Sequence, residues 1–170
     1  RLSARIWLPA GPGVAPAPAI LEVIPYRKRD LKRPRDTGIH HYFAGHGYPS
    51  VRVDLRGSGD SEGLLADEYL AQEQDDGEDI LAWLAARPWC DGTVGMMGIS
   101  WGGFAALQLA MRRPPQLRAI IAVAATDDRY ADDVHYMGGC LLNDNLSWAS
   151  VMFAFNSMPP DPHIVGARWR

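Results

Sequence analysis

The sequence has little cysteine, little net charge and no long apolar run. Its two cysteines, Cys90 and Cys140, lie far apart without the spacing of a zinc motif or of a disulfide framework. The formal net charge of -3 gives the chain no general attraction to nucleic acid. No apolar run is long enough to span a bilayer, and no signal peptide is visible. These absences favour free thiols in a reducing, cytoplasmic compartment, with neither nucleic acid nor membrane as a partner.

Apolar residues make up 47% of the 170 residues, which is ample for one packed domain. The sequence begins with Arg1 rather than Met and ends on the polar stretch GARWR. We therefore expect a fragment of a longer protein.

Apolar segments alternate with amphipathic ones along the chain. The pattern predicts strands at residues 2–8, 19–25, 49–56, 94–99 and 117–125, and helices at 36–45, 75–86 and 104–112. The second helix is predicted to turn Ile80, Leu81, Trp83 and Leu84 towards the core. Alternation of this kind indicates an α/β fold with a mostly parallel sheet flanked by helices.

The stretch TVGMMGISWGGFAA, residues 93–106, has the layout of a nucleophile elbow. Residues 98–102 fit the pattern G-x-S-x-G, in which a serine sits in a strained turn between a strand and a helix. The flanking glycines let backbone pass where a Cβ would clash. The pattern predicts Ser100 as a nucleophile, with the backbone N–H of Trp101 aimed at a developing negative charge. The alternative is a glycine-rich turn with a solvated serine.

Three other stretches invite a binding role and are interpreted as structural. The basic run at residues 27–35 lacks interleaved aromatics, so a solvated loop is favoured over a phosphate site. The glycine-rich residues 57–63 lack the lysine of a P-loop and are interpreted as a turn beside a pocket. His40, His41 and His46 have no carboxylate at a zinc-motif spacing, so no metal and no cofactor are predicted.

Four segments together resemble a known family: PYRKRD at 25–30, VRVDLRGSGDSEG at 51–63, PWCDGTVGMMGISWGGF at 88–104 and ATDDRYADDVHYMGG at 125–139. They are similar to the X-Pro dipeptidyl-peptidase (S15) family, the α/β-hydrolases also labelled CocE/NonD. The resemblance implies an α/β-hydrolase fold of which residues 1–128 form the N-terminal part. Residues 129–170 would then begin a helical cap.

The resemblance also implies roles for individual residues. Ser100 matches the nucleophile, and an oxyanion hole would combine the hydroxyl of Tyr26 with the backbone N–H of Trp101. Without the resemblance, the alternative for Tyr26 is an aromatic residue that caps the core at a strand end. The substrate would be a small ester, amide or peptide, including an X-Pro peptide, and the oligomeric state is left open.

A serine nucleophile needs a base and an acid, which follow it in the chain in this fold. Candidates after Ser100 are His135 and His163, with Asp127, Asp128, Asp132, Asp133, Asp144 and Asp161. The resemblance implies that the true acid and histidine lie beyond residue 170. The acidic residues 127–133 could attract a substrate ammonium, although solvated loop charge is favoured. A non-catalytic scaffold is the alternative to an enzyme.

Overall fold

The computed structural model describes residues 1–169, and the side chains of residues 1–167. Five strands form the central sheet, in the spatial order β1-β3-β2-β4-β5. Their bounds are β1 Ala4–Trp7, β2 Ala17–Ile24, β3 Ser50–Asp54, β4 Cys90–Ile99 and β5 Leu117–Val123. The strand β1 runs antiparallel to β3, and the other neighbours pair in parallel. The mostly parallel sheet of an α/β fold is thus confirmed.

Helices cover both faces of this sheet. They are α1 Arg33–Gly45, α2 Ala71–Ala85 and α3 Trp101–Arg112. Consecutive residues of a strand point to opposite faces. On β3, Arg52 points towards Asp36 of α1, while Val51 and Val53 line a groove together with Ile80 of α2. The helix α1 therefore lies on one face, and α2 lies on the other.

The last part of the described chain lies beyond β5. A short hairpin, β6 Tyr136–Met137 and β7 Cys140–Leu141, precedes α4 Asp144–Ser157. The short helix α5 Pro162–Val165 and a 3₁₀ turn, Gly166–Trp169, follow. Irregular chain and this hairpin therefore separate β5 from the first helix of the segment, and its assignment as the beginning of a helical cap stays a prediction. Positive φ angles at Gly138 and Gly139 allow the tight turn between β6 and β7.

The observed boundaries of the strands and helices differ from the predicted ones by a few residues. The helix α1 starts three residues earlier than predicted, since Pro34 falls in its first turn, where a missing N–H costs nothing.

The expectation that Trp83 faces the core is wrong. Its side chain is 45% exposed, and the Arg87 guanidinium lies 4.5 Å above the ring. Trp83 is one residue, about 100° around the helix, from the buried Leu84.

Both cysteines are free thiols, Cys90 buried and Cys140 exposed. Among the described residues, no helix is both long and apolar enough to cross a membrane.

Candidate active site

Ser100 occupies the turn between β4 and α3. Its backbone has φ 57° and ψ -118°, a conformation that L-residues rarely adopt. The Ser100 N–H donates to the Val123 carbonyl at 2.8 Å, and the Ser100 carbonyl accepts from the Phe104 N–H at 3.0 Å. These bonds join the serine to β5 and to α3, so the neighbouring strand and the following helix hold the strained turn. The residue is partly exposed at the carboxyl end of the sheet.

Glycines around Ser100 let α3 start directly against the strands. A Cβ on Gly98 would lie 2.2 Å from the backbone carbon of Gly102. A Cβ on Gly103 would lie 2.9 Å from the Val123 carbonyl oxygen. Such separations are impossible for real atoms, so this close crossing of backbone requires glycine. The geometry is the one expected of a nucleophile elbow.

Tyr26 follows β2 and lies beside this turn. Burial raises the pKa of its phenol above the ordinary value of 10.0, whereas the Ser100 hydroxyl and the Trp101 backbone N–H act in the opposite direction. The net pKa shift is upward, so the phenol keeps its proton. Its oxygen is buried and makes no well-formed hydrogen bond to any residue within 1–169. A buried O–H donor with free capacity therefore lies next to the hydroxyl of Ser100 and the first N–H of α3.

The side chain of Trp101 is fixed underneath this site. It is 2% exposed, and its indole N–H donates to Glu73 of α2 at 2.9 Å. The ring of Tyr69 packs 5.0 Å from it. Burial raises the pKa of Glu73, against the hydrogen bonds from Trp101 and from the Tyr69 backbone. The indole anchor holds the first residue of α3, and with it the backbone N–H proposed for the oxyanion hole.

Aromatic residues of α4 cover Tyr26. The Trp148 ring lies edge-on at a centroid distance of 5.8 Å, and the Phe155 ring is tilted at the same distance. The Lys32 ammonium lies 5.4 Å from the centre of the Tyr26 ring. The segment predicted to begin a cap therefore does pack over the tyrosine.

Neither candidate histidine hydrogen-bonds Ser100 within the described part of the chain. His135 is buried, its ring lies 6.4 Å from Trp148, and its Nδ1 has no partner among these residues. His163 lies on α5, where its backbone N–H donates to Asp161. The base and acid expected beyond residue 170 remain predictions.

The carboxylates after β5 are not brought to the serine by any described hydrogen bond. Asp133 is buried and pairs with Arg129 at 2.8 Å. Asp161 pairs with Arg29 at 2.5 Å, and the His163 N–H and this partner lower its pKa. The other four candidates are exposed: Asp127, Asp128, Asp132 and Asp144. The expectation of solvated loop charge therefore holds for most of the acidic residues at 127–133, but not for the buried Asp133.

The basic run at residues 27–35 differs from the solvated loop that its composition predicts. Arg27 and Lys28 are buried at 8% and 3% exposure. The Lys28 ammonium contacts Asp54 at 2.7 Å and Asp60 at 3.1 Å. The composition of the basic run cannot predict these buried ion pairs, because the partner carboxylates come from β3 and from the glycine-rich loop at residues 57–63.

One of the three histidines lies near carboxylates in space, although no carboxylate stands at a zinc-motif spacing from it in the sequence. His40 lies within 4.8 Å of the carboxylates of Glu22 and Asp36, all three fully buried. Two guanidinium groups already neutralise these carboxylates: Arg35 bonds Glu22, and Arg52 contacts Asp36 at 3.1 Å. A divalent cation would add charge that the cluster cannot balance. His46 lies elsewhere, with Nδ1 at 2.8 Å from the Tyr42 carbonyl.

The model of the family described as "X-Pro dipeptidyl-peptidase (S15 family)" matches residues 1–170 of the chain. The chain belongs to this family. Cocaine esterase of Rhodococcus is 32% identical to it over 154 residues, covering 89% of the chain and 26% of the esterase. A Mycobacterium bovis protein provisionally named a serine esterase is 34% identical over 155 residues, covering 82% of the chain and 24% of that protein.

A solved structure has the same fold as this chain. A CocE/NonD family hydrolase of Staphylococcus aureus superposes with a TM-score of 0.75 at 23% identity, covering 90% of the chain and 30% of the hydrolase. This superposition confirms the predicted α/β-hydrolase fold, and the family match over residues 1–170 confirms the resemblance to the S15 family. The chain spans about a quarter of the length of the curated relatives that it matches.

Proposed function

We propose that this S15 family chain carries the nucleophile and oxyanion hole of a serine hydrolase that cleaves an ester or amide bond. The observation that carries the proposal is the strained turn at Ser100, which the glycines around it allow. The buried phenol of Tyr26, whose oxygen has no hydrogen-bond partner among the described residues, supports the oxyanion hole. The Ser100 hydroxyl and the Trp101 N–H both act to lower the pKa of this phenol, against the larger effect of burial, which is consistent with that role.

The chemistry would proceed by acyl transfer. The Ser100 oxygen attacks the substrate carbonyl while a general base removes its proton, and the carbonyl oxygen becomes an oxyanion. The Tyr26 O–H and the Trp101 N–H donate hydrogen bonds to that oxyanion. The oxyanion then collapses, and the leaving alcohol or amine departs with a proton. Water finally attacks the acyl-enzyme and releases the acid.

The substrate class follows from the family and its relatives. One curated relative is named for ester cleavage, and the family description names an X-Pro peptidase. Both reactions pass through the same tetrahedral oxyanion, so both are compatible with one donor pair. We propose that the base and the acid are a histidine and a carboxylate outside residues 1–170, since no described histidine is hydrogen-bonded to Ser100.

Fluorophosphonate labelling of the full-length protein tests this proposal. The reagent phosphonylates activated serines, so we expect one adduct, located on Ser100 by peptide mass spectrometry. Ser100→Ala should lose the adduct and hydrolysis of a p-nitrophenyl ester together. Ser147→Ala, a serine in α4, is the matched control and should keep both. A folded wild-type protein without the adduct would favour the scaffold alternative.

A further inference from the structure

A buried carboxylate lies under the turn that carries Tyr26. Asp54 is the last residue of β3, where it pairs in register with Ile24, and it is fully buried. Its Oδ1 accepts the Lys28 backbone N–H at 2.9 Å, and its Oδ2 accepts the Lys28 ammonium at 2.7 Å. One carboxylate therefore holds both the backbone and the side chain of a residue only two positions after Tyr26.

The glycine-rich loop at residues 57–63 is shaped around the same carboxylate. A Cβ on Gly59 would lie 2.2 Å from Asp54 Oδ2, so no side chain fits there. The Asp60 N–H donates to Asp54 Oδ2 at 3.3 Å, while the Asp60 carboxylate accepts from the Lys28 ammonium at 3.1 Å. Asp54 thus joins two loops at the carboxyl edge of the sheet.

The turn held in this way is strained. Arg27, between Tyr26 and Lys28, has φ 53°, which non-glycine residues seldom adopt. The Tyr26 phenol has no well-formed hydrogen bond of its own within the described residues. Its position is therefore set by the backbone of the turn and by ring packing. A turn in a rare conformation keeps that conformation only where its surroundings determine it.

We infer that Asp54, through its ion pair with Lys28, is a positioning residue for the Tyr26 hydroxyl in the oxyanion hole. The inference rests on the proposed role of Tyr26. Asp54 does not touch the reacting atoms; it fixes the backbone from which the phenol projects. A displacement of about 1 Å at a reacting group can cost about 100-fold in rate. Loss of the contacts between Asp54 and Lys28 should therefore lower kcat while leaving substrate binding unchanged.

A double-mutant cycle in the full-length protein tests this inference with a p-nitrophenyl ester as substrate. We expect Asp54→Asn to lower kcat by about 10- to 100-fold, with KM changed less than about twofold. In a Tyr26→Phe background, the same substitution should lower kcat by less than about threefold, because the donor to be positioned is already gone. Asp76→Asn, which removes the charge on α2 that pairs with Arg56 in the loop after β3, is the matched control and should leave kcat unchanged.

The outcomes separate this inference from the proposed function. If Tyr26→Phe alone leaves kcat unchanged, the oxyanion role of Tyr26 is wrong and the inference falls with it. If Tyr26→Phe lowers kcat but Asp54→Asn has the same effect in both backgrounds, only the inference is overturned. Lys28→Met removes the other half of the ion pair and serves if Asp54→Asn does not fold. Failure of both variants to fold, judged by circular dichroism, would assign the pair to folding and would also overturn the inference.

Discussion

At the scale of the residue, the backbone of Ser100 adopts a rare conformation between β4 and α3. A non-glycine residue at φ 57° costs about 1 to 3 kcal/mol. The hydrogen bonds to Val123 and Phe104 offset part of that cost, because they satisfy both backbone polar groups of the serine. The helix can begin at Trp101 only because Gly98 leaves room for it. The glycines of the motif are therefore needed for packing as well as for chain flexibility.

The role of Gly98 gives a stability prediction. Gly98→Ala should lower the free energy of unfolding by about 2 to 3 kcal/mol, since the new methyl group would meet the backbone of α3. Urea unfolding followed by circular dichroism measures the change. Gly38→Ala is the control, because Gly38 is exposed on α1 and a methyl group there would have no neighbour within 4 Å. That substitution should stabilise by up to about 1 kcal/mol. Equal stabilities of the two variants would contradict the tight crossing.

At the scale of the element, α1 is attached to the sheet mainly by charge. Its buried residues are Asp36 and His40, both polar. Asp36 contacts Arg52 of β3, and His40 stacks on Trp7 of β1 at 4.6 Å and lies 2.7 Å from the Ser50 hydroxyl. An apolar stripe, the usual cause of helix docking, is therefore replaced by a paired ionic network.

Glu22 makes this attachment sensitive to pH. Burial by itself would raise the Glu22 pKa, but the His40 hydrogen bond and the charges of Arg35 and Arg52 hold the pKa below its ordinary value of 4.5. A depressed carboxyl pKa contributes stability above the unfolded pKa and loses it as the pH falls through the folded pKa. Stability from this group is therefore complete at pH 7 and declines below about pH 4.5.

Glu22→Gln should consequently lower the free energy of unfolding at pH 7 by about 3 kcal/mol, the usual cost of breaking a buried ion pair. The difference between the variant and the wild type should shrink as the pH is lowered below 4.5. Urea melts at several pH values measure this difference. Glu78→Gln, in an exposed ion pair with Arg112, should change stability by less than about 1 kcal/mol throughout. A Glu22→Gln effect independent of pH would refute the electrostatic account.

At the scale of the whole molecule, the sheet of the described residues ends in two edge strands, β1 on one side and β5 on the other. Side chains of Ile99, Ile121 and Val123 are 40%, 61% and 46% exposed. These three residues are neighbours on β4 and β5, so they form an apolar patch beside an unpaired strand edge. Such an edge favours association with other chains.

A polypeptide of residues 1–170 alone should therefore self-associate at micromolar concentration. Ile121→Lys places a charge in the apolar patch and should shift the mass measured by light scattering towards that of a monomer. Met111→Lys removes an apolar side chain of α3 that is even more exposed, at 80%, and lies away from the patch, so it should leave association unchanged. A monomeric wild-type segment would show that the patch does not drive association.

Much of the fold was predictable because it depends on local pattern. Five strands and three helices follow from the apolar periodicity, and the elbow follows from the glycines around Ser100. Trp83 was misplaced because its neighbours Ile80, Leu81 and Leu84 fill the same face of α2, and pattern alone cannot decide which large residue is left out. The catalytic roles of Ser100, Tyr26 and Trp101 stay predictions, supported by where these residues lie.

The sequence by itself determined the α/β class and the elbow, since both depend on residue types at short, fixed spacings, and four of its segments resemble the S15 family. Only the tertiary structure decided which charges are buried. Lys28 meets Asp54 because β2 and β3 lie side by side and end at the same edge of the sheet. An ion pair between distant segments depends on strand order and register, which no local pattern contains.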